Sequence, residues 1–221
     1  MIKVITDISK FDDRTDEIGS NVSFNTVKQT VSDLKKVLNS EKDYVALCAP
    51  QIGSDLRLFI VKRAKSASED SRYKVFLNPI RVSSKGLHLS RETNLSLPNQ
   101  QYVIPRSNEV HVAYQEIDGR PNSETFVGAY GEVVQQMIDM LDGITLADYG
   151  LPIDDDFDKA SDKDKVAIIQ MYLEHLKNNY NILTDEIQND PNLQYLDKVI
   201  KFQTGILDGT ITPIKKEDEE K

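Results

Sequence analysis

Apolar side chains recur along this chain at two different periods. Over residues 24–40, Val27, Val31, Leu34 and the pair Val37/Leu38 fall on one stripe, which predicts an amphipathic helix with one face against a core. Residues 128–141 predict a second helix, central in the chain and more apolar. Residues 162–180 predict a third, opened by Asp-Lys-Asp-Lys and continued by Val166, Ile169, Tyr172/Leu173 and Leu176 at helical spacing. A further helix is expected over 184–203, interrupted at Asp190-Pro191, because proline brings no N–H and clashes with the preceding turn. Strands are expected at 56–63, 73–78, 86–90, 101–104 and 109–117, the last closing on an Asp118-Gly119 turn signal. Residues 64–72 are polar and serine-rich and read as a loop.

Composition narrows the setting. A length of 221 residues suits one domain with an appendage, and 39% hydrophobic residues allow a substantial core. The formal net charge of −9 argues against a nucleic-acid surface and against an anionic membrane. No apolar run reaches the roughly 18 residues of a membrane span. The start, Met1-Ile-Lys-Val-Ile-Thr-Asp7, lacks the basic, apolar and cleavage regions of a signal peptide. The single cysteine, Cys48, excludes an internal disulfide, suits a reducing cytosol, and reads as a small buried hydrophobe. His88, His111 and His175 are far apart and are expected at the surface or at strand edges, not on a metal. The closing Lys-Lys-Glu-Asp-Glu-Glu-Lys is expected to be solvated.

Three segments carry the chemistry. The first is Tyr44-Val-Ala-Leu-Cys-Ala-Pro-Gln-Ile-Gly53, the second Glu92-Thr-Asn-Leu-Ser-Leu-Pro98, and the third Gln135-Gln-Met-Ile-Asp-Met-Leu-Asp-Gly143. The third has the frame of an H-E-x-x-H helix, which sets two imidazoles one turn apart with a glutamate beside the first. In order and spacing the three resemble the G-φ-G-φ-A-A-P-Q-I-G, E-G-C-L-S-φ-P and H-E-x-x-H segments of peptide deformylases, over roughly the first two thirds of the chain.

The resemblance implies an α+β fold, with mixed and antiparallel sheets around a central helix. It implies a domain over residues 1–150, followed by a helical extension with an acidic tail over 151–221. It also implies a reaction. In deformylases a divalent ion, often iron or zinc, sits on one cysteine and two histidines. It activates water against the N-formyl group of a nascent chain, and the glutamate shuttles the proton. At the matching positions this chain has Asn94 for the cysteine, Gln136 and Met140 for the histidines, and Met137 for the glutamate. The oxyanion-stabilising glutamine remains as Gln51. Two glycines of the first motif are Tyr44 and Ala46, a glycine of the second is Thr93, and a substrate-contacting arginine is Gln101.

Amides and thioethers are poor ligands for a borderline divalent ion and bring no charge to offset its desolvation. Without the ion, a water molecule stays far too weak an acid to ionise near neutral pH. These substitutions lead to the expectation of no metal, no cofactor and no catalytic residue. They suggest a non-catalytic protein with a structural or interaction role. Its partners would be other proteins of a larger assembly, met through the region after Asp148. Its place would be intracellular, or a virion tail or baseplate if the chain is phage-encoded. Two readings stay open beside it: an enzyme with altered, metal-independent chemistry near Glu92, Asp139 and Asp142, and a peptide-binding module without hydrolysis. Gln51, Asn94 and Gln136 are expected to form a neutral hydrogen-bonded cluster in a pocket filled by Met137 and Met140. Glu92 and Arg106 occupy positions that pair in deformylases, and Pro50, Pro98 and Pro105 look like framework residues.

Overall fold

The stripe over 24–40 folds as helix α1, Phe24–Ser40. Ser23 caps it in extended backbone, its hydroxyl accepting the Thr26 N–H at 3.1 Å. That bond satisfies one of the donors that every helix start leaves open. Val27, Val31, Leu34 and Leu38 are buried on the predicted face.

A computed structural model describes residues 2–11, 15–19, 21–63 and 72–179. The chain divides into two compact units, residues 1–85 with 89–152, and residues 86–88 with 153–221. In the first unit, β1 (Ala46–Cys48), β2 (Leu58–Lys62), β3 (Tyr73–Lys85), β6 (Glu109–Gln115) and β7 (Pro121–Val127) form a five-stranded sheet in the order β1-β2-β3-β6-β7. Every neighbouring pair is antiparallel. A second sheet has the order β4-β5-β8, built from β4 (His88–Asn94), β5 (Leu97–Arg106) and β8 (Leu151–Ile153).

The large sheet is covered on both faces at β1, β2 and the first half of β3. Leu58 and Ile60 of β2 join the cluster of Val31, Leu34 and Leu38 from α1. The alternate residues Phe59 and Val61 join Val134, Met137, Ile138 and Leu141 of α2 (Gly128–Leu141). Successive side chains of a strand point to opposite faces, so a strand buried on both sides reads as an unbroken apolar run. Phe59 and Phe76 stack at 4.4 Å between ring centroids at the centre of the α2 side.

Arg57 fixes the far end of α2. Its guanidinium donates to the carbonyls of Pro79 (3.1 and 3.3 Å) and Leu141 (3.2 Å), and to the Asp142 carboxylate (2.7 Å). A cation at a helix C-terminus meets the carbonyls left unpaired there and the negative end of the helix dipole.

Several expected elements came out longer than their apolar cores. β3 runs to Lys85 although its last six residues are exposed. Pairing with β6 carries it there, through register shifts between Leu77 and Ile80 and between Arg81 and Ser83. β1 and β8 have three residues each, too short to show a period. β7 buries only Phe126 and is mostly polar, so its side chains hold no strand signal. The short helices α3 (Leu146–Tyr149) and α4 (Asp155–Lys159) were also unforeseen.

In the second unit, α5 spans Asp162–Asn179 with Tyr172 and Leu176 buried. The helix expected over 184–203, the acidic tail, and residues 64–71 of the expected loop lie outside the described residues, as does much of the expected partner surface. Among the described residues no helix is long and apolar enough to cross a membrane.

Gly150 follows α3 at φ −78°, ψ 144°, extended backbone that any residue adopts. Space is what requires glycine there. A Cβ would stand 2.4 Å from the Leu146 carbonyl oxygen and 3.0 Å from the Tyr102 side chain. Gly150→Ala is expected to cost about 1–3 kcal/mol, the usual range for overpacking. Urea denaturation reads this as a lower midpoint; an unchanged midpoint would show that the α3 turn moves aside freely.

Candidate functional site

The three segments singled out in the sequence converge between β1, the β4–β5 hairpin and α2. After β1 the chain makes a tight turn over Ala49–Ile52 that ends on Gly53 at φ +80°, a conformation glycine adopts without cost. The turn carries the buried Gln51 back toward β1. Its Oε1 accepts from the Cys48 backbone N–H at 3.0 Å and the Cys48 thiol at 3.3 Å. Burial pushes the Cys48 thiol up to about 12, so it stays protonated and serves as a donor.

From Gln51 a series of amides runs to a charge. Gln51 Nε2 donates to Asn94 Oδ1 at 3.1 Å and to Ser96 Oγ at 3.2 Å. Asn94 Oδ1 also accepts the Ser96 N–H at 2.8 Å. Asn94 Nδ2 donates to Gln136 Oε1 at 3.0 Å and to the Met140 sulfur at 3.1 Å. Gln136 Nε2 donates to Glu92 Oε2 at 2.8 Å and to the Thr93 carbonyl at 3.2 Å. Gln51, Asn94, Gln136 and Met140 are thus brought together. Met137, 2% exposed, lies in the apolar cluster with Phe59 and Phe76.

The series ends on an ion-pair network. Arg106, 3% exposed, holds Glu92 through Nε at 2.6 Å and Nη2 at 2.9 Å, a two-pronged match of guanidinium and carboxylate. Its Nη1 donates to Asp139 and, at 3.2 Å, to the Tyr149 hydroxyl. Asp139 accepts also from Tyr149 at 2.6 Å and from Arg81 at 2.7 Å. Burial raises the Asp139 pKa, but Arg106, Arg81 and the Tyr149 hydroxyl outweigh it and hold the carboxyl below its ordinary value. Burial and the Asp139 charge push the Tyr149 phenol far up. Among the described residues no buried side-chain nitrogen or oxygen lacks a partner.

Sequence reasoning missed Ser96, Arg81 and Tyr149. Ser96 was legible in principle, since it lies inside the second motif. Tyr149 and Arg81 reach Asp139 only through the three-dimensional register. Gln135, by contrast, serves the backbone, bonding Ser107 through both ends of its amide at 2.9 and 3.0 Å.

Beside the amide series lies a cleft of about 190 Å³, lined by residues including Tyr44, Ala46, Arg91, Glu92, Glu132 and Gln136. The side chains at the two former glycine positions therefore form part of its wall. Typical small-molecule sites hold roughly 300–1,000 Å³, so this cleft has room for one residue-sized group.

The ion that the resemblance implies does not fit these donors. An amide nitrogen has no free lone pair, a thioether is neutral, and the carboxylates of Glu92 and Asp139 already face guanidiniums. Among the described residues no group of three or more His, Cys, Asp or Glu side chains could hold a metal.

The family model for polypeptide deformylase matches residues 6–155 of this chain. A peptide deformylase of Desulfotalea psychrophila is 34% identical over 105 residues, 48% of this chain and 62% of that protein. One from Pseudothermotoga lettingae is 34% identical over 122 residues, 54% of this chain and 67% of that protein. The chain therefore spans about two thirds of the length of the curated relatives it matches. Among solved structures, a probable peptide deformylase from Synechococcus phage S-SSM7 is 25% identical with TM-score 0.58, covering 67% of this chain and 98% of that one. The Thermotoga maritima peptide deformylase is 25% identical with TM-score 0.58, covering 67% and 95%. The α+β architecture of antiparallel sheets and helices is the one these structures share.

These matches correct the expectation of a non-catalytic protein with a structural, interaction or virion role. The family and the relatives' names point to an enzyme. The physical reason is that substitutions at 94, 136, 137 and 140 tell which chemistry this donor set lacks. They say nothing of a structural partner or of a virion.

The ion-pair network makes a stability forecast. Arg106→Ala leaves Glu92 and Asp139 short of a buried partner and is expected to cost about 3–5 kcal/mol, as is Glu92→Ala. The double variant should lose clearly less than the sum, read from denaturant unfolding of all four proteins; additive losses would mean the two side chains are uncoupled. Because the Asp139 pKa is depressed in the folded state, its contribution is complete above its unfolded value of 3.8 and is lost as pH falls through the lower folded value. Asp139→Asn should flatten that part of the acid unfolding curve.

Proposed function

Since the chain belongs to the peptide deformylase family, we propose that it acts as an enzyme on the amino-terminal end of peptides, releasing formate from an N-formyl group. The observation that carries this reading is the family match over residues 6–155. The cleft beside β1, β4 and α2 supports it, since its volume of about 190 Å³ takes one terminal residue. Gln51 stands at the head of the amide series, its amide group held by Asn94 and Ser96.

The positions that the family fills with metal ligands and a general base depart from its pattern in this chain. No step is therefore routed through a metal. What this chain's own residues supply is placement: Ala46 and Thr93 flank the cleft, and the Glu92–Arg106 pair holds its wall rigid. Water without an activating ion stays a very weak acid, so the uncharged route must be slow.

The test is formate release from a formyl-Met peptide, followed by a coupled formate assay over hours. The expected outcome is formate above a protein-free blank, at a rate orders of magnitude below that of a metal-loaded relative assayed alongside. Substituting Ala46 by a bulky side chain should abolish it by filling the cleft. No formate above the blank overturns the reading.

A further inference from the structure

We infer that the Asn94 amide nitrogen is the built-in occupant of this site, standing against the two α2 acceptors where the implied ion would stand, and that Glu92 fixes it in that orientation. Both Glu92 oxygens accept from the Arg106 guanidinium, which has donors only, so Glu92 stands as an acceptor toward its neighbours. The neighbouring end of Gln136 must therefore be its NH₂, 2.8 Å away. That turns Gln136 Oε1 toward Asn94, which must answer with its own NH₂ at 3.0 Å. Asn94 Oδ1 is then left for Gln51 Nε2 and for the Ser96 N–H. One negative charge thus sets the direction of three successive amides.

Two consequences follow for an ion. Donor atoms sharing a tetrahedral ion at ~2.0–2.3 Å stand about 3.3–3.7 Å apart, with lone pairs aimed inward. Here Asn94 Nδ2 is 3.0 Å from Gln136 Oε1 and 3.1 Å from the Met140 sulfur, and hydrogens fill the intervening space. The charges are also already matched. Glu92 and Asp139 contribute two negative charges, Arg106 and Arg81 two positive ones, so a dication would bring an uncompensated charge into a buried site. The site is closed to divalent transition ions by its own asparagine.

This inference stands apart from the proposed activity, because ion content and melting are read without turnover. The full chain is produced in medium rich in iron, nickel and zinc, dialysed, and analysed for metals. Its melting temperature is then recorded with added zinc, with added nickel, and with EDTA. The expected result is no stoichiometric ion and the same melting temperature in all three, since a ligand that binds only the folded state must raise it. Near one ion per chain surviving dialysis, or a melting temperature raised by zinc or nickel, overturns the inference.

Asn94→Asp tests the orientation. It keeps the shape but turns two donated hydrogen bonds into acceptor–acceptor contacts with Gln136 and Met140. Melting should fall by on the order of 5 °C without metal, and zinc should recover part of the loss because the new carboxylate is a charged donor. An Asn94→Asp protein that melts like wild type overturns the assigned direction. If that variant does not fold, the metal and melting measurements on the wild-type chain decide the matter alone.

Discussion

The buried guanidinium of Arg106 is the interaction on which the rest of the site depends. A charge removed from water costs several kcal/mol unless it is paired and hydrogen-bonded. Arg106 meets that condition by spending its donors on Glu92, Asp139 and Tyr149 at once. The same contacts define both carboxylates. Glu92, held through both oxygens, becomes the acceptor that orders Gln136, Asn94 and Gln51; Asp139, on α2, ties the helix to β5 and to Arg81 of β3.

The scaffold delivers these groups with little freedom. β2 and the first half of β3 are buried on both faces, so a slip of one residue along either would exchange the two cores. Arg57 holds the end of α2 at Leu141 and Asp142 and Arg106 holds it at Asp139, which leaves the helix clamped near its C-terminus by two buried cations. On such a frame the site tolerates unusual side chains, provided that each polar atom finds a partner. Asn94, Gln136 and Gln51 meet that requirement among themselves, because an amide both donates and accepts. A histidine or a lone carboxylate in the same place would need an ion or a counter-charge.

How much of this was legible in the sequence differs from element to element. α1 was readable to the residue because a 3.6-residue stripe against a core leaves an unambiguous period, and α2 because it carries the third motif. The convergence of Gln51, Asn94 and Gln136 and the Glu92–Arg106 pair followed from three short motifs in family order. β7 and the outer half of β3 were not readable, since backbone pairing and not apolar burial holds them. Tyr149 and Arg81 carried no local signal, because only the register of the fold brings them to Asp139. Function was overread: the side chains at 94, 136, 137 and 140 speak of donor chemistry, whereas the family match speaks of an enzyme. The ligand substitutions describe the donors present and are no evidence of a structural role.

The central claim is a direction: one carboxylate, held by Arg106 through both oxygens, orders three amides head to tail. Neutron diffraction from a deuterium-exchanged crystal separates nitrogen bearing deuterium from bare oxygen, which X-rays at ordinary resolution do not. The account predicts ND₂ density on the Gln136 atom facing Glu92, on the Asn94 atom facing Gln136 and Met140, and on the Gln51 atom facing Asn94 and Ser96. Oxygen at any of those three positions, or a deuterium on Glu92, would contradict it.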